Sequence, residues 1–223
     1  MIDTLNPIFT VGHSRHELEH FVKLLTLNGV TALADVRSSP FSRVPHFNRD
    51  ALAAAVRGYG IKYVPLGREL GARREEGECY VDGQAVYELV AKLPLFREGI
   101  DRLIRGARDH VIALMCSEKE PLDCHRAVWV CRHLRFHGLQ ISHIHADGRL
   151  ESHRELERRL MTLMGMSPRQ GELFAGEQQL IEQAYEAKGG EIAWRVGAEG
   201  VTGKIDGRQT GSPMSTISAK AAS

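Results

Sequence analysis

Residues 111–126 read VIALMCSEKEPLDCHR. Val111 to Met115 is an unbroken apolar run of strand length, the pattern of a strand buried on both faces in a parallel sheet. Cys116 to Asp123 is polar and contains Pro121, which marks a loop. From Cys124 a helical pattern runs to His137 and Gly138 closes it; Asp123 stands where an N-cap is expected. Strand, loop and helix in this order form half of a parallel α/β unit.

The same unit recurs on both sides of the quoted stretch. Upstream, Ile8 to Val11 is a short apolar run ended by Gly12, and Leu18, Phe21, Val22, Leu24 and Leu25 follow with helical spacing between Glu17 and Leu27. Ser14 and Glu17 have the spacing of a capping box at that helix start. Thr31 to Val36 reads as a second strand, Asn48 as the cap of a helix over 49–59, and Ile61 to Val64 as a third strand terminated by Pro65. Residues 66–83 hold several glycines and many charges without a period, which predicts a long loop. Helices over 84–93 and 95–107 lead into the strand already read. Downstream, Gln140 to His145 is a fifth strand and about 152–164 an amphipathic helix. Five strands alternating with helices predict an α/β fold with a mostly parallel five-stranded sheet and helices on both faces.

At 223 residues the chain is expected to form one domain with an appendage. We place the α/β domain at 1–168, a helical extension that packs on it at 169–196, and a disordered tail at 197–223, where glycine, serine and alanine replace large apolar residues. With 43% hydrophobic and 26% charged residues the composition is that of an ordinary globular protein. No apolar run approaches the roughly 20 residues that a membrane-spanning helix needs, so no membrane partner is expected. Without an export signal, Cys79, Cys116, Cys124 and Cys131 are expected as free thiols in a reducing cytoplasm.

Loops that follow parallel strands share one rim of the sheet, where ligands bind. The residues able to do chemistry here follow strands: Gly12-His13-Ser14 the first, Asp35 to Pro40 the second, Pro65-Leu66-Gly67 the third, and Cys116 to Arg126 the fourth. A first-turn Cys124 beside His125 and Arg126 is placed to be a thiolate or part of an anion cradle, because free amides and cationic neighbours favour negative charge. Equally, an inward-pointing cysteine there is only a small hydrophobe. Cys116, eight residues earlier, is close enough for a loop to bring the two sulfurs together. Glu118 and His13 are candidates for acid or base work, against the readings of a solvated loop carboxylate and a histidine packed on a helix start. His133, His137, His143 and His145 fall away from the rim and are taken as structural.

Whole-chain charge is uninformative, with 29 Lys and Arg against 28 Asp and Glu. Residues 37–74, however, carry eight Arg or Lys (Arg37 and Arg43 among them) and two acids. Phe41, His46, Phe47 and Tyr63 are interleaved with these charges, the combination that stacks bases while neutralising phosphates. A basic solvated face balanced by acids elsewhere explains the same residues.

Four ordered motifs, TVGHS, LADVRSSPFSR, IKYVPLGRELG and ALMCSEKEPLDCHR, followed by ISHIHADG, make the chain resemble the domain-of-unknown-function 488 family from about Ile8 to Gly148. The resemblance implies a Rossmann-like three-layer sandwich. It places His13, Ser14, Asp35, Arg37, Ser38, Pro40, Cys116, Glu118, Cys124, His125 and Arg126 on the family's motif positions, and it implies no particular reaction. Three functions follow from these residues. The first is an enzyme acting on a nucleotide or nucleic-acid-derived substrate, with Cys124 or Cys116 as nucleophile, His13 or Glu118 as acid or base, and Ser14, Asp35, Arg37, Ser38, Pro40, Arg43, Tyr63, Gly67, His125 and Arg126 around the ligand. The second is a binding module for an anionic small molecule or nucleic acid that uses the same residues without catalysis. The third is a metal site built on Cys116, Cys124 and a histidine. Cofactor and oligomeric state are left open by the sequence.

Overall fold

The structure is a computed structural model and describes residues 5–166 and 175–196. The expected disordered tail, and the QGELF segment before the last helix, lie outside the described residues. In chain order the elements are β1 (Ile8–Gly12), α1 (Leu18–Leu27), β2 (Ala32–Asp35), α2 (Arg49–Arg57), β3 (Lys62–Pro65), α3 (Gly67–Leu70), β4 (Tyr80–Val81), β5 (Gln84–Ala85), α4 (Tyr87–Val90), α5 (Pro94–Gly106) and β6 (Ile112–Cys116). A π-helix over Arg126–Cys131 then runs into α6 (Arg132–Leu134), and β7 (Ile141–Ile144), β8 (Leu150–Ser152), α7 (His153–Leu163) and α8 (Ala175–Ile192) complete the set.

The sheet has the order β3-β2-β6-β1-β7-β8. Its first five strands are parallel, as the alternation of strands and helices requires, and β8 pairs antiparallel with β7. The sheet therefore has six strands rather than five. Strand β8 is only three residues long, too short for a period to show, and a turn at Gly148 with φ of 86° folds it back.

Central β6 is buried at all five positions. Alternating side chains build two cores, as period two dictates. Val11, Leu33, Ala113, Met115 and Ile144 face Phe21, Leu24 and Leu25 of α1 and Leu52 and Val56 of α2. Ile8, Ala32, Ala34, Ile112 and Leu114 face α5, the π-helix, α7 and α8 through residues such as Phe96, Trp129, Leu160 and Tyr185. Helices thus cover both faces, and the architecture is three-layered.

Several local readings are corrected. Residues 66–83 contain α3 and half of a hairpin. The expected helix over 84–93 gives way to β5 and the single turn α4. Asp82 and Gly83, both at positive φ (50° and 73°), make the tight turn between β4 and β5, the favoured chemistry for a two-residue hairpin loop. Ser14 does not cap α1: it has φ of 46°, its N–H donates to the Ser117 carbonyl at 3.0 Å, and α1 begins only after Glu17. A capping box is present instead at Ser152 and Glu155, where it starts α7.

Candidate functional site

The loop after β6 decides the site. Glu120 caps a 3-10 turn over Pro121–Asp123 by accepting the Leu122 N–H at 3.2 Å, so the following helix cannot start before Cys124. Cys124 is extended (φ −139°, ψ 136°), and its carbonyl accepts from the N–H groups of Ala127 and Val128, both at 3.1 Å. The N-cap is therefore Cys124 and not Asp123, whose carboxylate instead pairs with Lys188 of α8 at 3.0 Å. This places the Cys124 sulfur at the positive end of the helix dipole.

Cys116, the last residue of β6, lies beside it. One carboxyl oxygen of Glu118 lies within hydrogen-bond distance of both sulfurs, 2.9 Å from Cys116 and 3.1 Å from Cys124. His125 Nδ1 is 3.8 Å from each sulfur, and its Nε2–H donates to the Val36 carbonyl at 3.0 Å. Beneath them Arg126 is fully buried, with its guanidinium donating to the Glu118 and Lys119 carbonyls at 2.8 and 3.3 Å. Arg126 holds the loop from below and does not reach the pocket wall. Gly12 completes the clamp, because a Cβ there would lie 1.9 Å from the Glu118 carbonyl oxygen.

The two thiols differ in acidity. Burial raises the Cys124 pKa, but the hydrogen bond from Cys116, the Arg126 charge and His125 outweigh it and bring the group well below the usual thiol range. Cys116 moves the opposite way, raised by its bond to Cys124 and by burial. Burial lowers the His125 pKa and the neighbouring Cys124 sulfur more than restores it, so each group favours the charged form of the other. Glu118 is raised by burial and by Cys124, which keeps it able to hold a proton.

Above the sulfurs is a pocket of about 410 Å³, walled by Arg37, Ser38, Phe41, Arg73, Asp123 and Trp194 among others. Arg73 lies over the Trp194 ring at 3.9 Å. Trp194 arrives from the far end of the chain: its carbonyl accepts the Ala85 N–H at 2.9 Å, and the Val196 N–H donates to the Gly83 carbonyl at 2.8 Å, which docks this segment on the β4–β5 hairpin. Of the residues singled out by sequence, Cys116, Glu118, Cys124, His125, Arg37 and Ser38 come together in this wall.

The others take different places. Asp35 grips Arg37 with both oxygens, at 2.9 and 2.6 Å, and accepts from the Tyr63 hydroxyl at 2.6 Å. Arg37 also donates to the Phe47 carbonyl at 2.9 Å and to His13 Nε2 at 3.2 Å. His13 therefore lies buried beneath Arg37, stacked on Phe47 at 4.3 Å between ring centroids, and burial and Arg37 push its pKa down to about 4. Gly67 packs on the Arg37 carbonyl, where a Cβ would come within 1.9 Å. Pro40 accepts the Arg49 N–H through its carbonyl at 3.0 Å, and Arg43 is exposed outside the wall. Tyr63 borders a separate cleft with Arg49, Arg57 and Lys62. Sequence reasoning did not single out Trp194 or Ser117 as site residues; the signal for the first was its place in the apolar end of an extension expected to pack on the domain.

The geometry defines a class: an α/β protein with a paired-thiol, imidazole and carboxylate site at the carboxyl rim of a parallel sheet. The chain belongs to the family described as domain of unknown function DUF488, whose model matches residues 17–132. That span holds the Asp35 to Pro40 and Cys116 to Arg126 segments, while TVGHS and ISHIHADG lie outside it. Searches of curated proteins and of solved structures give no match. Among the described residues no helix is long and apolar enough to cross a membrane.

Proposed function

We propose that the protein is a cysteine-dependent enzyme of the reducing cytoplasm that acts on a nucleotide or nucleic-acid-derived substrate. The observation that carries this reading is the Cys124 sulfur at a helix N-cap, against Glu118 and His125 and above Arg126, on the floor of the pocket. A lowered thiol pKa with an imidazole partner is the usual activation of a sulfur nucleophile. In this reading the Cys124 thiolate attacks an electrophilic centre of the substrate, and the leaving group departs with the proton held by Glu118. Water then cleaves the covalent adduct, giving one proton back to Glu118 and restoring the thiolate. Arg37 and Arg73 on the walls suit a phosphate, and Trp194 and Phe41 offer flat faces to a base.

The rate of Cys124 alkylation against pH, followed by mass spectrometry of the native protein, tests the nucleophile. An inflection well below the free-thiol value of about 8.5 is expected. Titration at or above that value refutes activation and leaves a non-catalytic binding module. Native mass spectrometry of the purified protein, repeated with Arg37→Ala, identifies the anionic ligand or shows that the pocket holds none.

A further inference from the structure

We propose that Cys116, Cys124 and His125 form a binding site for one thiophilic divalent cation of the zinc class. The ligand atoms, two Sγ and Nδ1, all lie within 4.8 Å of one another and are buried. Zinc bonds of about 2.3 Å to sulfur and 2.0 Å to nitrogen, spread tetrahedrally, give ligand-to-ligand edges of roughly 3.5–3.8 Å. Nδ1 is 3.8 Å from each sulfur, so the two sulfur-to-nitrogen edges of such a tetrahedron are already present to within a few tenths of an ångström.

A second, independent feature is the fixed ring of His125. Its Nε2–H is committed to the Val36 carbonyl at 3.0 Å, which leaves Nδ1 as the nitrogen that can give a lone pair. A backbone carbonyl behind a histidine is the outer contact that orients metal-ligating imidazoles. Charge is also balanced, because two thiolates neutralise a divalent ion. Binding displaces the Cys116 proton and the proton shared by Cys124 and His125, so affinity rises with pH. All three ligands lie on the pocket floor, which leaves the fourth position facing the cavity, the arrangement that separates reactive zinc sites from closed structural ones. The inference shares with the proposed function only the thiolate character of Cys124, and a bound ion takes that sulfur out of play as a nucleophile.

Cobalt(II) titration of the reduced, chelator-stripped protein tests the site. Expected are one equivalent bound, the intense visible bands of tetrahedral cobalt with sulfur-to-metal charge transfer, and loss of both in Cys116→Ser and His125→Ala. Because these buried variants could fail to fold, the wild type carries a second readout: zinc should protect Cys116 and Cys124 together from iodoacetamide, mapped by peptide mass spectrometry. If neither ion binds or protects while Cys124 alkylates with a lowered pKa, the metal site is refuted and the nucleophile reading stands. If zinc protects both sulfurs but Cys124 of the stripped protein reacts as an ordinary thiol, the metal site stands and the nucleophile reading fails.

Discussion

Lowering the pH from 7 to 5 should destabilise the fold by an amount set by its buried neutral histidines. His143 and His153 sit in a chain of hydrogen bonds with one consistent polarity. Thr10 Oγ1–H donates to His143 Nδ1 at 2.9 Å, His143 Nε2–H to His153 Nδ1 at 3.0 Å, and His153 Nε2–H to the Tyr185 oxygen at 3.0 Å. Tyr185 O–H then donates to Glu157 at 3.2 Å. Each ring uses its one hydrogen and its one lone pair, so a proton added to His153 Nδ1 meets the Nε2–H of His143 rather than an acceptor. Burial, followed by the Arg135 charge, brings the His153 pKa down to about 3; His143 is lowered well below its ordinary value; and His13 is at about 4. A histidine whose folded pKa is depressed contributes its full stability above the unfolded value of about 6.5 and loses it as pH falls below that. At pH 5 the loss is about 2 kcal/mol for each, so His13 and His153 alone give about 4 kcal/mol. His125 opposes this in part: its raised pKa adds stability that is complete below about 6.5 and lost as pH rises through the folded value. Urea unfolding followed by circular dichroism at pH 7, 6 and 5 should show the midpoint falling by about 2 M, given a slope of about 2 kcal/mol per molar. His153→Gln should lower stability at pH 7 yet remove about 1.4 kcal/mol per pH unit from the dependence below pH 6.5. A midpoint that stays level between pH 7 and 5, or a His153→Gln protein with the wild-type pH slope, would show that the buried histidines do not set the acid sensitivity.

Two further outcomes follow from the rim. Asp35→Ala leaves Arg37 buried without its counterion and should cost about 3–5 kcal/mol, read as a fall in the denaturation midpoint, because the penalty of an unpaired buried charge exceeds the worth of the pair. Gly12→Ala puts a methyl group against the Glu118 carbonyl and should displace the loop that carries Glu118; a Cys124 alkylation profile identical to wild type, with unchanged melting temperature, would show that the clamp is not what sets the thiol's acidity.

Much of this arrangement was legible because of where chemistry must sit in a parallel sheet. Once Val111 to Met115 and its four companions are read as strands, the loops after them share an edge, and Arg37, Cys116, Glu118 and Cys124 fall together without knowledge of strand order. What the pattern could not show was depth. His13 and Arg37 both follow strands, yet only Arg37 lines the pocket, while His13 is buried, hydrogen-bonded to the guanidinium and stacked on Phe47. Arg126 is next to two site residues in sequence but points beneath the loop, where its guanidinium donates to the Glu118 and Lys119 carbonyls. Trp194 enters through tertiary docking on the β4–β5 hairpin, and that hairpin was hidden under the charges of residues 66–83, although Asp82-Gly83 is a strong turn signal. Strand β8 was too short to have a period at all.

The order of strands also fixes when the site can exist. β6 lies between β1 and β2, pairing Ile8 with Ile112 on one side and Ala32 with the same residue on the other. A nascent chain that ends before residue 112 can pair β2 with β3, but it has no partner from among these strands for β1 on the β2 side. The loops after β1 and β2 are then held apart by the width of a missing strand. Arg37 shares a pocket wall with Cys116 and His125 only when β6 is inserted and its following loop closes, so the site is assembled at the moment the central gap is filled. Contacts this distant in sequence form slowly. A chain interrupted in its first half would therefore carry the basic segment and the Asp35–Arg37 pair, but no part of the sulfur chemistry.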